Sequence, residues 1–579
     1  MNKQVSNTRA LLMGLLFAMV GFSFALATSS GLDVLTADGV VSRGVGSSTI
    51  MFTNPLVSAM ASPAPVSGER DLGDVALGSS LVRYARATGG VRPYTFTSTV
   101  SPTLTSVITG STATLKLFTN GMLSGSLGNI AITKSPLQFK ITVAEAKGSN
   151  ANSATEMFRL TLDNSGTFKF AIDALCSGVQ YQPYLDVFQV MNGSGTFSAT
   201  NITVNGTAKS ALEDAGLSIG AADGTVFGKP TVAGTVVFTA NCVDAKGNKA
   251  KSRNGLTDGQ VITLPVSSNS TIVSDIVTTG CAIKVGVAGK DSIKYAAVAN
   301  LAGNKPSSLA GKKLVLRIGG YTTPDTTATP ASLDDKGKVV KAPKPAKGTK
   351  PVKLAGCVSM KGGVKIAVSN ETLTGKFGTI SGTTKLLAVQ LQIGEVVTGS
   401  EILLFTVKSS SKGATLTYKF CAANNPGGTF MVTSVAGKDD KTTDADAWKV
   451  AFIATAPSAN SFTGANKAAI SIGSSFTDSL TCVENKGKVK STDKRNSKDA
   501  KVTKLAMNGV KGKGAMQTGI LPYSATGIHK GSTAGLAATG NTFPMNVGLS
   551  SSIKSLYFGE GAMAIFKGTK GNWSSKLPK

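Results

Sequence analysis

Two segments, whose first residues Leu137 and Val236 lie 99 positions apart, repeat one alternation of apolar and polar side chains. The apolar positions are Leu137, Phe139, Ile141 and Val143 in the first segment and Val236, Phe238, Ala240 and Cys242 in the second. Alternation with period two turns one face of a β-strand toward a core and the other toward water. The pattern therefore predicts two equivalent strands in two equivalent units.

Each of these strands follows a pair of turn residues. Asn120-Gly121 precedes the first strand and Asp223-Gly224 precedes the second. Both dipeptides supply the positive φ angles that a tight turn between strands requires. Further upstream, the sequence of a Gly/Pro turn at residues 88–94 is loosely repeated at residues 177–184. Each unit is predicted to run strand, Gly/Pro turn, strand, Asn/Asp-Gly turn, strand.

Pro230-Thr231-Val232-Ala233-Gly234-Thr235, together with these turns and with a final strand that ends in Asp244-Ala245-Lys246-Gly247, resembles the immunoglobulin-like and cadherin-like repeats of bacterial surface proteins. The resemblance covers about residues 66–265. The first copy departs from it, because Ser135-Pro136 and a four-residue insertion replace the Pro-Thr element. The resemblance implies two β-sandwich domains.

The N-terminus predicts export. Lys3 and Arg9 precede an apolar stretch over residues 10–24, and Ala25-Leu26-Ala27 provides the small residues of a cleavage site. This layout is typical of a signal peptide, and the apolar run is shorter than the ~20 residues needed to cross a bilayer. We expect cleavage after Ala27, a linker over residues 28–65, no transmembrane anchor after cleavage, and an extracellular, cell-surface or periplasmic location.

The C-terminal half contains a second kind of repeat. Val287-Ala288-Gly289-Lys290-Asp291 recurs 148 residues later from Val435 to Asp439, and residues 335–339 return 150 residues later at 485–489. These offsets predict one β-rich domain present twice. The predicted fold is all-β: tandem immunoglobulin-like β-sandwiches at 66–150 and 151–265, followed by two duplicated β-rich domains at 266–420 and 421–579.

The six cysteines all follow the predicted signal peptide, and they are Cys176, Cys242, Cys281, Cys357, Cys421 and Cys482. An even number of cysteines in an exported chain favours disulfides. Pairing within domains predicts the bridges 176–242, 281–357 and 421–482. No Cys-x-x-Cys pair occurs and His529 is the only histidine, so we expect no metal site and no cofactor.

The net charge of +28 is concentrated in the second half. Residues 1–265 hold 19 basic and 15 acidic side chains, a balance of +4, whereas residues 266–579 hold 41 and 17, a balance of +24. The basic clusters comprise Lys338, Lys341, Lys344, Lys347, Lys350 and Lys353 in one copy, and Lys488, Lys490, Lys494, Arg495 and Lys498 in the other.

The first cluster has a lysine at every third residue and prolines in between, which favours a polyproline II helix with one charged edge. Such an edge predicts docking onto an anionic polymer. The alternative is a solvated loop whose lysines maintain solubility. Nucleic acid is not the expected partner, because the chain is exported and the clusters lack aromatic residues for base stacking.

We find no catalytic constellation in the sequence. Gly216-Leu217-Ser218-Ile219-Gly220 matches the nucleophile elbow of hydrolases, but it leads into the Asp223-Gly224 turn and is expected to be a β-strand. Asp223 and Asp244 are weak calcium candidates. The sequence thus predicts a secreted or cell-surface structural or adhesive protein that binds envelope polyanions, glycans or itself. The alternative is an accessory protein or hydrolase that acts on carbohydrate or peptidoglycan.

Overall fold

The computed structural model describes residues 49–58, 65, 67–90, 92, 94–145, 152–269, 271–301, 304, 306–323, 331–340, 351–359, 362–395, 397–421, 424–438, 445–455, 467–472, 476–485, 488–492, 502–507, 522–530, 541–550, 555–567 and 572–574. The predicted signal peptide and most of the linker after it lie outside these ranges. The regular structure is almost entirely β, so the predicted fold class is confirmed. Within the described ranges, no helix has the length and hydrophobicity to cross a membrane.

The first domain comprises residues 50–163. Its strands are β1 (Met51–Phe52), β2 (Arg70–Ala76), β3 (Ser80–Tyr84), β4 (Ala87–Thr88), β5 (Thr95–Thr97), β6 (Lys116–Leu117), β7 (Met122–Ser126), β8 (Leu137–Ala144) and β9 (Ser153–Asp163), with one short helix, α1 (Leu104–Ile108). The sheet β2-β9-β8-β5 packs against the sheet β3-β7-β6 around one apolar core. The domain is therefore a two-layer sandwich.

The second domain comprises residues 168–267. Its strands are β10 (Lys169–Phe170), β11 (Gly178–Val179), β12 (Tyr184–Val187), β13 (Val190–Met191), β14 (Thr196–Val204), β15 (Thr207–Ala208), β16 (Leu217–Ile219), β17 (Thr225–Gly228), β18 (Gly234–Val243) and β19 (Gln260–Ser267). The sheet β11-β19-β18-β14-β15 faces the sheet β12-β17-β16. In both domains the first strand of the larger sheet runs parallel to the last.

The two domains match in detail at the predicted turns. Gly121 and Gly224 both have positive φ angles, 86° and 67°. A Cβ at Gly121 would lie 2.3 Å from the Ala85 carbonyl oxygen, and one at Gly224 would lie 2.3 Å from the Phe188 carbonyl oxygen. The strands β8 and β18 bury every second residue, as their sequences predict. The alternation of apolar residues and the turn glycines thus specify the same sandwich architecture in both domains.

One predicted boundary is displaced. Strand β9 (Ser153–Asp163) pairs with β8 and, in parallel, with β2, so it belongs to the first domain although residues 151–265 were expected to form the second. A strand belongs to the domain whose strands it pairs with, whatever its place in the sequence. The junction between the two domains therefore lies near residue 165 rather than 150.

The third domain comprises residues 276–419. Its strands are β21 (Ile276–Val285), β22 (Asp291–Ala299), β23 (Leu314–Ile318), β24 (Tyr321–Thr322), β25 (Lys353–Val358), β26 (Gly363–Glu371), β27 (Thr384–Ile393), β28 (Val397–Ser410) and β29 (Gly413–Lys419). They form one sheet in the order β24-β23-β27-β28-β29-β21-β22-β26-β25.

The edges of this sheet are joined. Residues 331–340 bridge them, because Lys338 pairs with Cys357 of β25, Leu333 pairs with Val339, and Ser332 pairs with Lys313 beside β23. The sheet therefore closes on itself around a single apolar core.

The fourth domain comprises residues 429–574. Its strands are β30 (Thr429–Lys438), β31 (Ala445–Thr455), β32 (Lys467–Ile472), β33 (Phe476–Asn485), β34 (Lys488–Ser491), β35 (Val502–Met507), β36 (Pro522–Lys530), β37 (Asn541–Ser550), β38 (Ser555–Lys567) and β39 (Asn572–Ser574). Because β39 pairs with both β30 and β38, this sheet also closes on itself.

The closed sheets of the third and fourth domains follow the same strand order. From its first strand, the third domain runs β21-β22-β26-β25, then residues 331–340, then β23-β27-β28-β29, and the fourth runs β30-β31-β36-β35-β34-β33-β32-β37-β38-β39. The repeated sequence at 287–291 lies between β21 and β22, and residues 435–438 of its second copy end β30. Residues 335–339 lie between β24 and β25, and Asn485 and Lys488 of their second copy pair across β33 and β34. The duplication of one domain itself remains a prediction.

A short strand crosses between domains. β20 (Thr271–Val273) follows the second domain directly, yet it pairs in parallel with residues 558–560 of β38 in the fourth. All three of its residues are buried. The third domain is thus inserted between a strand and the sheet that the strand completes.

Side chains from different domains meet at the junctions. Tyr84, Leu185, Phe227 and Ile402 belong to one apolar cluster drawn from the first three domains. Beside the first junction, Arg253 of the second domain forms ion pairs with Asp71 (2.5 Å) and Asp74 (2.7 Å) of the first and with Asp173 (3.1 Å). The first two domains are therefore held together by direct contacts.

The turn glycines generate a test. We expect Gly224→Ala to lower the unfolding midpoint of the second domain, because an L residue in the left-handed region costs about 1–2 kcal/mol and the added Cβ also meets the Phe188 carbonyl. Gly166→Ala is the matched control, since Gly166 has a φ of 69° with no atom within 4 Å of the added Cβ. Thermal unfolding should show the Gly224 midpoint lower than the Gly166 midpoint by about 4 °C or more. Equal midpoints would contradict the close packing.

Candidate functional site

A cavity of about 470 Å³ lies where the first, second and third domains meet. Its volume falls within the range of small-ligand sites in proteins, which is about 300–1,000 Å³. Its walls combine aromatic rings, amides and charged groups. The principal lining residues are Tyr84, Arg86, Arg92, Tyr94, Phe96, Asn120, Gln182, Tyr184, Asp275, Asn300, Asn304 and Glu395.

The first domain supplies the arginine and aromatic wall. Asn54 holds the backbone beside this wall, since its Nδ2 donates to the Tyr84 carbonyl (2.8 Å) and its Oδ1 accepts from the Arg86 N–H (2.9 Å). The Arg86 Nη2 reaches the Pro183 carbonyl at 3.4 Å. Phe96 lies on β5 with its ring almost fully buried, so the wall is set by the sandwich core behind it.

The second domain supplies a buried acid behind its wall. Asp186 accepts hydrogen bonds from the backbone N–H groups of Cys176 (2.8 Å) and Val187 (2.9 Å). Burial raises the pKa of Asp186, while the Cys176 and Val187 donors and the positive charge of Arg86 oppose this shift. Burial likewise raises the pKa of Tyr184, whose hydroxyl donates to the Cys176 carbonyl at 2.7 Å. Burial is therefore the largest influence on both groups, and the charge of Arg86 opposes it.

The third domain closes the cavity with paired charges. Asp275 accepts from the Arg92 Nη2 at 2.7 Å and so connects the first domain to the start of the third. Glu395 pairs with Lys312. The Ser400 hydroxyl on β28 donates to the Tyr184 carbonyl at 3.3 Å. Since three domains share these contacts, the cavity exists only when all three are folded and docked.

The predicted basic clusters are only partly described. Lys338 and Lys353 are exposed, and they lie on the segment that joins the sheet edges and on β25 respectively. Lys488 and Lys490 lie on β34 of the fourth domain. The remaining members, Lys341, Lys344, Lys347, Lys350, Lys494, Arg495 and Lys498, lie outside the described residues, as does the predicted polyproline segment.

The predicted disulfides are not formed, because all six cysteines are free thiols. Cys281 points into the core of the third domain, whereas Cys357 alternates with the core residue Val358 and so faces outward. Two other strands separate β21 from β25, a gap of roughly 14 Å at about 4.8 Å per strand. A disulfide requires Cα atoms about 4.4–6.8 Å apart, so the predicted 281–357 bridge cannot form.

The other two predicted pairs are separated for similar reasons. The Cys176 sulfur lies 3.9 Å from the Tyr84 carbonyl oxygen, toward the first domain, while Cys242 belongs to the core of the second. Cys421 precedes β30, and Cys482 lies on β33 at the opposite side of the closed sheet. The 176–242 and 421–482 bridges are absent because the two cysteines of each pair lie in different parts of the fold.

Residues that suggested other chemistry have structural partners. Ser218 lies on β16, as expected of a strand, and its hydroxyl donates to Glu213 at 2.7 Å. Asp223 pairs with Arg317 at 2.8 Å. Asp244 accepts hydrogen bonds from Asn248, which lower the pKa of that exposed carboxyl. Across the described part of the chain, no group of three or more His, Cys, Asp or Glu side chains is arranged to hold a metal ion.

Sequence reasoning missed several buried ionisable residues at the junctions. Arg83, Lys229 and Glu401 are each at most 3% exposed. Each is a single charged residue within or beside an apolar strand, such as Glu401 before Ile402-Leu403-Leu404-Phe405. That isolation was the one available signal, because a lone charge in an apolar run is buried only where another element supplies partners.

No family model matches the chain, and no curated protein matches it. Solved structures similar to it include the zebrafish RET cadherin-like domains 1 to 4, with 7% identity, a TM-score of 0.20, and 86% of this chain and 98% of that chain covered. The Sidekick-1 immunoglobulin domains 1–5 match with 9% identity and a TM-score of 0.16, covering 90% of this chain and 81% of that one.

Mouse cadherin-23 EC22-24 matches with 13% identity and a TM-score of 0.14, covering 62% of this chain and 98% of that chain. At these scores the matches assign neither a family nor a function to the chain.

The arrangement of the cysteines predicts a simple measurement. We expect the purified chain, unfolded in denaturant without reductant, to react with a thiol reagent at all six cysteines. The reason is that Cys281 and Cys357 face opposite sides of their sheet and the other pairs lie apart. The same measurement after reduction is the control. A lower count before reduction, with a bridged 281–357 peptide in the digest, would contradict the described strand order.

Proposed function

We propose that this chain is an exported, non-catalytic repeat protein that acts outside the cytoplasm as a structural or adhesive module, and that its junction cavity binds a glycan. The observation that carries the proposal is the cavity of about 470 Å³ between three docked domains. Large unused cavities are uncommon in close-packed proteins. A cavity with convergent aromatic, amide and arginine groups is the usual form of a ligand site.

The lining suits a sugar. Sugars present hydroxyl groups that pair with amides, together with apolar ring faces that pack on aromatic side chains. Tyr94 and Phe96 offer aromatic surface, and Asn120, Gln182 and Asn300 offer amides. Arg86 adds a positive charge whose guanidinium recognises carboxylates with two parallel hydrogen bonds. The lining therefore favours an acidic glycan over a neutral one.

The charges in the cavity favour binding over hydrolysis. A glycosidase needs two carboxyl groups, one of which remains protonated to serve as the acid. Asp275 is paired with Arg92 and Glu395 is paired with Lys312. Both carboxylates are engaged in ion pairs with protein side chains, which supports a non-catalytic role over the alternative of a hydrolase.

The basic C-terminal half would add an electrostatic contribution. Residues 266–579 carry a balance of +24 from 41 basic and 17 acidic side chains, and Lys338 and Lys353 are exposed there. Charges on solvated lysines attract polyanions over about one Debye length, roughly 8–10 Å at ordinary salt. We infer that these domains hold the protein near an anionic envelope polymer and that the cavity provides selectivity.

The proposal is tested by calorimetric titration of the full chain with uronic-acid oligosaccharides. We expect Arg86→Ala to weaken binding about tenfold, which corresponds to about 1.4 kcal/mol, because the charge-assisted hydrogen bonds to the carboxylate are lost. Lys209→Ala is the control, since Lys209 is exposed on the second domain and its loss changes the net charge equally.

An unchanged affinity in Arg86→Ala, or no heat of binding from wild-type protein with acidic or neutral oligosaccharides, would refute the cavity as a glycan site. Raising the salt concentration separates the two contributions. Binding through the cavity should weaken modestly, whereas retention on a long polyanion through the lysines should fall steeply.

A further inference from the structure

A cluster of buried polar side chains, distinct from the cavity, lies where the second domain meets the third and fourth. Lys229, which follows β17, belongs to this cluster and is fully buried. Its Nζ donates to the Gly428 carbonyl at 2.8 Å and to the Ser274 hydroxyl at 2.9 Å. A lysine with no exposed surface is rare, because its charge loses hydration without compensation.

The amine of Lys229 is held without a close counter-ion. Within the described residues, no carboxylate lies within 4 Å of Nζ, and the acids that act on it from further away are Glu401 and Asp275. Burial lowers the pKa of Lys229 to about 8, while Glu401 and Asp275 oppose that shift. A neutral amine is therefore accessible near neutral pH, and a neutral desolvated lysine is a nucleophile.

A fully buried carboxyl group belongs to the same cluster. Glu401 on β28 accepts the Thr278 N–H at 2.8 Å through Oε2, and its Oε1 lies 3.4 Å from the Asn425 Nδ2. Burial raises the pKa of Glu401, while the hydrogen bond from Thr278 and the charge of Lys229 oppose the shift. A protonated carboxyl group in this position can donate a hydrogen bond to an amide.

Asn425 is the amide that this carboxyl group faces. It is fully buried, its Nδ2 contacts the Thr429 hydroxyl at 2.5 Å, and its Oδ1 has no hydrogen-bond partner among the described residues. A buried carbonyl oxygen without a hydrogen-bond partner is destabilising. A half-turn of the amide exchanges its oxygen and nitrogen, and it places Oδ1 where protonated Glu401 can donate to it.

The backbone brings Lys229 alongside Asn425. Residues 425–428 form a turn closed by the Gly428 N–H on the Asn425 carbonyl at 3.0 Å. At Gly427 a Cβ would lie 2.8 Å from the Lys229 Cδ, so the aliphatic part of the lysine runs against this turn. Amine, carboxyl and amide thus belong to one buried cluster, on three separate segments of the chain.

We propose that Lys229 and Asn425 form an intramolecular isopeptide bond, with Glu401 as the catalytic residue that transfers the protons. In this step the Lys229 Nζ bonds to the Asn425 Cγ as Glu401 protonates Oδ1. Glu401 then takes a proton from Nζ and delivers one to the departing nitrogen, and the Cγ–Nδ2 bond breaks. As the Cγ–Oδ1 carbonyl re-forms, the proton on Oδ1 returns to Glu401. The products are one amide cross-link and one ammonia molecule, Glu401 is regenerated, and no oxidant or other reactant is consumed.

The cross-link would join the end of β17 in the second domain to the turn between the third and fourth domains. It would enclose nearly two hundred residues, from 229 to 425, in a covalent loop. Noncovalent contacts at a domain junction separate under sustained pulling, whereas an amide bond does not. A protein that attaches one body to another benefits from such a junction.

Peptide mass mapping of the mature full-length protein tests the proposal. Digestion should yield a branched species in which the peptides of Lys229 and Asn425 are joined, with a mass below their sum by one ammonia molecule. Fragmentation should locate the branch at these two residues. Recovery of the two unmodified peptides alone, from folded protein stored at neutral pH, would overturn the proposal.

Two variants separate the chemistry from folding. Glu401→Gln keeps the size and hydrogen-bonding capacity of the side chain but removes its acid–base function, so we expect folded protein that lacks the branched peptide. Ser274→Ala is the matched control, because it removes one hydrogen bond to Lys229 and leaves all three reacting groups, so the branched peptide should persist. Complete cross-linking in Glu401→Gln would overturn the role assigned to Glu401.

Discussion

The architecture depends on charged side chains that are buried at domain junctions and must find partners across them. Arg83 illustrates the constraint: burial lowers its pKa to about 10, and its guanidinium is stabilised by the Leu72 and Asp74 carbonyls and by Gln189 of the second domain. Removing a partner from a buried charge destabilises a protein by about 3–5 kcal/mol. The domains are therefore fixed against one another, and the cavity whose walls they share keeps its shape.

Much of the fold could be predicted from the sequence because it is encoded locally. Alternation with period two specified the buried faces of β8 and β18, and the Asn-Gly and Asp-Gly pairs located turns whose glycines have positive φ. The repeated segment at 287–291 lies between β21 and β22, and residues 435–438 of its second copy end β30. Such signals act over a few residues. The assignment of β9 to the first domain depended on an edge partner far away in sequence, which no local pattern contains.

The candidate sites were less predictable, because side chains from distant segments form them. The cavity needs three domains, and no short motif marks its lining. The disulfide prediction failed because an even number of cysteines says nothing about which face of a strand each occupies: Cys281 lies in a core while Cys357 faces outward. Lys229 and Glu401 left only a faint trace, since each is one charged residue beside an apolar run. Their hydrogen-bond partners lie on other segments of the chain, so the sequence alone could not identify them.

The pairing of β20 with β38 has a consequence for how the chain is made. A polypeptide emerges from its N-terminus, and Thr271–Val273 are complete long before residues 558–560 exist. During that interval three residues destined for full burial have no sheet to join. The first two domains and the third can fold as they appear, but the last strand pairing waits for the final segment of the chain. The sheet of the fourth domain is therefore the last to be completed during synthesis.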